Sequence, residues 1–208
     1  AFTDLVGNTN KEETRTGLTI DNIAPTVTIG NPSRASIREG QTATYEITVS
    51  KEVTLDSSKI TLTGTTGSTV QVTGSGRNYT VTVTGGTGNG AVTLSVAAGA
   101  FTDSAGNTSA ATSKAGLTID NTAPTVTIGN PSKTVIKSGG TATYEITVSE
   151  AATLDSSKIT VTGAGSTGGT VQVTGSGTTY TVAVTGGTGS GAVTLNIAAG
   201  AFTDSAGN

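Results

Sequence analysis

The side chains able to do chemistry in this chain are almost all hard oxygen donors, and they recur in two motifs. An octapeptide of the form AFTDxxGN occupies residues 1–8, 100–107 and 201–208, and the longer IDNxAPTVTIGNPS starts at Ile20 and again at Ile119. Asp21, Asn22, Asp103, Asn107, Asp120, Asn121, Asp204 and Asn208 belong to these motifs. Carboxylates, amide carbonyls and backbone carbonyls are the ligands of Ca²⁺, which takes six to eight oxygens and tolerates irregular geometry. With no His, Cys or Met in the chain, a hard cation is the metal such a set suits. A second reading uses the same residues: Asp at a turn caps its own backbone, and Gly-Asn tolerates positive φ. Both readings stay open at the level of sequence.

Composition excludes other chemistry. Without His or Cys there is no imidazole acid–base pair, thiol nucleophile or zinc site, and no disulfide staples the fold. We expect no enzyme. A net charge of -3 argues against a nucleic-acid partner, which would need a basic face, and 3% aromatic residues is very low for a catalytic or sugar-binding surface. No apolar run approaches the roughly 20 residues needed to span a bilayer as a helix.

The candidate residues must be positioned by strands. Residues 20–63 align without a gap on residues 119–162, and most positions are identical; such duplication points to a unit whose number matters more than its chemistry. Thr, Val, Gly and Ser dominate, a β vocabulary with turn punctuation. Residues 42–49 alternate, with Ala43, Tyr45, Ile47 and Val49 on one face and Thr and Glu on the other. Alternating segments at 26–29, 58–63, 70–72, 79–83, 91–96 and 114–119 complete seven strands, separated by Gly-rich turns. The fold class is therefore all-β, with tandem immunoglobulin-like seven-strand β-sandwich modules arranged in a rod. The expected divisions are residues 1–22, the F–G turn and strand G of a preceding repeat; 23–119, module 1; and 120–208, module 2 without its own strand G.

Strand direction gathers loops at one pole of each module. Module 2 should bring Asp120 and Asn121 beside Glu150 and residues 204–208, so Asp204 is expected near Asp120. Module 1 should bring Asp21 and Asn22 beside a turn at Lys51-Glu52 and residues 103–107, so Asp103 is expected near Asp21. Lys51 stands where module 2 has Glu150. Either Glu52 substitutes from the next position, or the Lys51 ammonium takes the place of the ion. An ion shared between linker and loops would stiffen the joint.

The vacant strand position in module 2 leaves an unpaired sheet edge, and residues 14–20 form a free strand of the matching type. Head-to-tail self-association through residues 14–20 by strand addition is one expectation; an unpaired arm is the other.

At IDNTAPTVTI, YEITVSE and FTDSAGN the chain resembles the bacterial Ig-like repeats of very large surface adhesins. The resemblance covers both modules and the N-terminal segment. It implies an extracellular location at the bacterial cell surface, a stalk function, neighbouring repeats of the same protein as partners, and calcium at the junctions. It carries over to Asp103, Asn107, Asp120, Asn121, Glu150, Asp204 and Asn208, and Lys51 departs from it. A structural spacer is thus expected. A filament built by strand exchange and a module that binds glycan or protein directly are the alternatives.

Overall fold

The computed structural model describes residues 1–64 and 66–208. Eight strands make module 1: β1 (Val27–Ile29), β2 (Ser36–Ile37), β3 (Thr42–Leu55), β4 (Ile60–Thr63), β5 (Thr69–Thr84), β6 (Gly90–Val96), β7 (Phe101–Thr102) and β8 (Thr112–Ile119). One sheet joins β1, β3 and β5, with β7 pairing the far end of β3; the other runs β2-β8-β6-β4. The period-2 pattern of β3 explains the packing. Ala43, Tyr45, Ile47 and Val49 are buried while the intervening Thr and Glu residues face outward, because successive side chains leave opposite faces of a strand. They meet Val92, Leu94 and Val96 of β6 and Leu117 and Ile119 of β8 in one core.

Three features go beyond the seven expected strands. The short β2 pairs with β8 in parallel, and β7 pairs with Thr54 and Leu55 at the end of β3. The turn expected at Lys51-Glu52 is instead a bulge inside β3. Thr48 pairs with Asn78 and the next pair is Val53 with Gly76, so the register slips between them. Bulges re-aim side chains, and here the irregular stretch carries Lys51. The Tyr79 hydroxyl donates to Val53 O at 3.1 Å and braces it. The true reversal comes after Leu55, where Asp56 caps a short 3-10 turn, Ser57–Lys59, by accepting from Ser58 N and Ser58 Oγ. Within β5 the expected glycine turn is kept. Gly74 has φ +112°, and a Cβ there would fall 2.8 Å from Tyr79 Cα, a distance possible only if the chain folds back on itself.

Module 2 repeats the first sheet, with β10 (Thr141–Leu154) pairing β9 (Val126–Ile128), β12 (Thr170–Thr185) and β14 (Phe202–Thr203). Its register slips at the same place, between Thr147 and Ala152, so the turn expected at Ser149-Glu150 is also a bulge. The second sheet is reduced to β11 (Ile159–Thr162) and β13 (Thr194–Ile197). Counterparts of β2 and β8 are lacking among the described residues. Residues 1–22 add no strand to either sandwich.

Candidate cation site at the module poles

The AFTDxxGN octapeptide builds the same loop three times. In module 1, Asp103 Oδ1 accepts from the amides of Ala105 and Asn107 at 3.0 and 2.9 Å, and Asp103 Oδ2 accepts from Asn107 Nδ2 at 3.1 Å. Gly106 supplies φ +89°, a conformation that glycine adopts without strain. Asp204 repeats the ring with Ala206, Gly207 and Asn208. Asp4 repeats it with Val6 and Asn8, although no sandwich surrounds residues 1–8. The loop is therefore encoded locally, and what the modules add is its position. β7 and β14 anchor it to the ends of β3 and β10.

That position brings the motifs together across long stretches of chain. Asn107 Nδ2 donates to Asp21 O at 3.0 Å, and Asn208 Nδ2 donates to Asp120 O at 2.7 Å. Asn107 and Asn208 thus turn their amide nitrogens inward as clamps. They hold the carboxylates of Asp103 and Asp204 against the linker and are donors at the pole.

The two poles differ in what sits between the carboxylates. In module 1 the Lys51 ammonium lies 2.9 Å from Asp21 Oδ2 and 3.0 Å from Asp103 Oδ2 and also donates to Ile23 O. Asp103 is buried, and its carboxyl is held well below the usual range by the Asn107 hydrogen bond and by Lys51, against the opposing effect of burial. Asp21 is lowered chiefly by Lys51, and Lys51 is raised chiefly by Asp21. In module 2 the same bulge position carries Glu150. One carboxylate oxygen each from Asp120, Glu150 and Asp204 lies within 4.8 Å of the others. No ion pair to any of the three forms among the described residues. Burial, followed by the charges of Asp120 and Asp204, pushes the Glu150 carboxyl up. Burial also works against ionisation of Asp204, but the hydrogen bonds from Asn208 and the loop amides outweigh it and lower its pKa.

Of the ten residues singled out from sequence, the structure gathers Asp120, Glu150 and Asp204 in one cluster, with Asn208 clamping it. It gathers Asp21 and Asp103 around Lys51, with Asn107 clamping them. Three go elsewhere. Glu52 leaves the opposite side of the bulge, and its carboxylate lies against Gly76, where an added Cβ would meet Oε2 at 2.5 Å. It therefore does not replace Lys51 at the pole. Asn121 turns back into module 1: Glu39 N donates to its Oδ1 at 2.6 Å, its Nδ2 donates to Gly86 O at 3.1 Å, and its amide donates to Asn89 Oδ1 at 2.8 Å. Asn22 is exposed and has no hydrogen-bond partner among the described residues. The Asp-Asn pair thus faces two ways, Asp120 toward module 2 and Asn121 toward module 1. Period-2 alternation in an extended linker was the signal that could have revealed this. Sequence reasoning also missed Gln41. With its amide turned to satisfy both neighbours, Gln41 donates to Ala206 O at 3.0 Å and accepts from Arg38 Nε at 3.3 Å, tying module 1 to the loop of module 2.

The family model for the bacterial Ig-like domain matches twice, at residues 21–119 and 120–208. The chain belongs to the bacterial Ig-like domain family. No curated protein matches it. Among solved structures, it is similar to the Escherichia coli adhesin FdeC, at 15% identity and TM-score 0.45, covering 82% of this chain and 59% of that one. The chain thus spans little more than half of the FdeC structure. It is also similar to a chimeric titin Z1Z2-Z1Z2 tandem, at 16% identity and TM-score 0.24, covering 87% of this chain and 93% of that one.

Proposed function

We propose that this bacterial Ig-like tandem is a non-enzymatic spacer of an extracellular adhesin or surface fibre, and that the joint between its modules is closed by calcium. The observation that carries the ion is the Lys51 ammonium. It is a cation held by Asp21, Asp103 and a linker carbonyl, at the position where module 2 has a third carboxylate and no cationic side chain. The donor set suits a hard divalent ion. Asp120, Glu150 and Asp204 supply three carboxylates, and Thr122 O corresponds to the Ile23 carbonyl that Lys51 engages. Water would complete the six to eight oxygens that calcium takes. Crowded carboxylates with one raised pKa are the arrangement an ion relieves.

Such an ion would join linker, bulge and loop, three segments separated in sequence, and would remove freedom at the hinge. The interlock of Asn121 with module 1 and of Gln41 with Ala206 supports a joint built to hold one geometry. The spacer reading draws further support from family membership and from near-identical modules joined by a short, hydrogen-bonded linker.

Calorimetric titration with calcium tests the site. One ion per chain is expected for the wild type, and none for Asp204→Asn or Glu150→Lys. No heat of binding in the wild type at millimolar calcium would reject the ion while leaving the spacer reading intact.

A further inference from the structure

Asn89 is the one asparagine of the chain that is followed by glycine. Module 2 has Ser190-Gly191 at the corresponding place, so the pair belongs to module 1 alone. The main-chain nitrogen that follows an asparagine can close a five-membered ring on the side-chain amide carbon. Glycine, with no Cβ, leaves that approach unhindered. Gly90 also holds φ +136°, a conformation that other residues rarely adopt. Asn89 is exposed, so water reaches its amide.

What restrains the Asn89 side chain is the joint between the modules. Its Oδ1 accepts from Asn121 N at 2.8 Å, and its Nδ2 donates to Thr122 Oγ1 at 2.8 Å. Both ends of the amide are thus spent on the linker. Ring closure makes the amide carbon tetrahedral and expels Nδ2, so it cannot be completed while the two bonds hold. The loop beneath is pinned to module 1. Gly86 N donates to Ser68 Oγ at 3.1 Å, Gly88 N donates to Thr66 O at 3.2 Å, and Gly90 pairs with Ile119 at the start of β6. The linker is therefore the part that has to move for the amide to be released.

We propose that Asn89 is a spontaneous deamidation site that the joint keeps shut, and that its products latch the linker less tightly. When the linker lets go, the Gly90 nitrogen gives its proton to water or hydroxide and bonds to Asn89 Cγ. The Cγ–Nδ2 bond breaks and ammonia leaves. Water then opens the cyclic imide. Attack at the side-chain carbonyl restores the main chain and leaves aspartate. Attack at the main-chain carbonyl leaves isoaspartate, whose main chain is one carbon longer. The net change is one water in and one ammonia out, with no oxidant. Aspartate has no N–H for Thr122 Oγ1, and isoaspartate displaces the foot of β6 from its register with Ile119. The joint thus keeps a chemical record of its own opening.

The test is run on the whole chain in chelator, so its outcome does not depend on an ion at the module 2 pole. Folded wild type and Thr122→Val are incubated in mildly alkaline buffer. Peptide mapping and isoaspartate-specific methylation then follow the peptide that carries Asn89. Thr122 is exposed, and valine keeps its shape while removing the acceptor. Deamidation is expected at Asn89, roughly twofold to tenfold faster in Thr122→Val, the rise in released population from one lost hydrogen bond. Amide exchange across β6 should stay slow in both proteins. The deamidated fraction, separated by its added negative charge, should exchange the Asn121 amide faster than the intact chain. Equal rates in the two proteins, or a faster rate accompanied by lost protection across β6, would overturn the proposal. So would an Asn121 amide equally protected before and after deamidation.

Discussion

Lys51 and Glu150 stand at corresponding bulges of two nearly identical strands, each aimed at the corresponding pair of aspartates. Around Lys51 the pole closes with its own cation. Around Glu150 three carboxylates crowd together, and burial, followed by the charges of the other two, raises the Glu150 pKa. A single substitution therefore separates a pole that carries its counter-charge in the chain from one that, on the proposal above, takes it from solution. The loops and clamps around the two positions are otherwise alike, so the local fold does not depend on which of the two residues stands there.

A parallel contrast runs through the cores. Leu94 of module 1 is fully buried, whereas its counterpart Leu195 is half-buried. Leu94→Ala should cost about 2–5 kcal/mol, the range for a leucine lost from a closed core. Leu195→Ala should fall at or below the low end of that range. Denaturant unfolding followed module by module would check this, and equal losses would contradict the difference in burial.

The next largest effect is expected from Lys51→Glu. This exchange gives the module 1 pole the three carboxylates of module 2 and leaves buried Asp103 without its ammonium. Module 1 should melt lower in chelator and recover in calcium, a dependence the wild-type module lacks. Melting unaffected by calcium would show that the bulge position alone does not make the site.

The smallest effect separates the poles by pH. Asp103 and Asp21 have folded pKa values below the ordinary 3.8. Their contribution is fully present above that value and is lost as pH falls through the folded values. Glu150 has a folded pKa above the ordinary 4.5. Its ionisation opposes folding at neutral pH, so without calcium module 2 should gain stability as pH falls through the raised value toward 4.5. Melting in chelator should show module 2 gaining stability as pH falls toward 4.5, and module 1 level until pH drops below 3.8, where it loses stability. Calcium should abolish the gain in module 2.

Much of this architecture was legible in the chain. Alternation in residues 42–49 identifies the core face of β3, and strand direction alone places Asp103 near Asp21 and Asp204 near Asp120. The bulge was not legible, because its residues still look like a polar turn. The pairing of Val53 with Gly76, and of Thr54 and Leu55 with β7, makes them part of a continuing strand. That slip decides that Lys51 reaches the pole and that Glu52 does not. The backward turn of Asn121 depends on partners far along the chain, Glu39, Gly86 and Asn89, which no local pattern links to it. The short β2 is two residues long and forms only beside β8, so nothing in its own sequence announces it.

The most direct test of a joint closed by an ion in one module and by a lysine in the other is a calorimetric melt of the wild type and of Glu150→Lys, each in calcium and in chelator. The module 2 transition of the wild type is expected to rise with calcium. Glu150→Lys is expected to melt near the calcium-loaded wild type under both conditions. Superimposable wild-type melts in calcium and chelator, or a Glu150→Lys variant that still responds to calcium, would contradict closure by an ion in module 2.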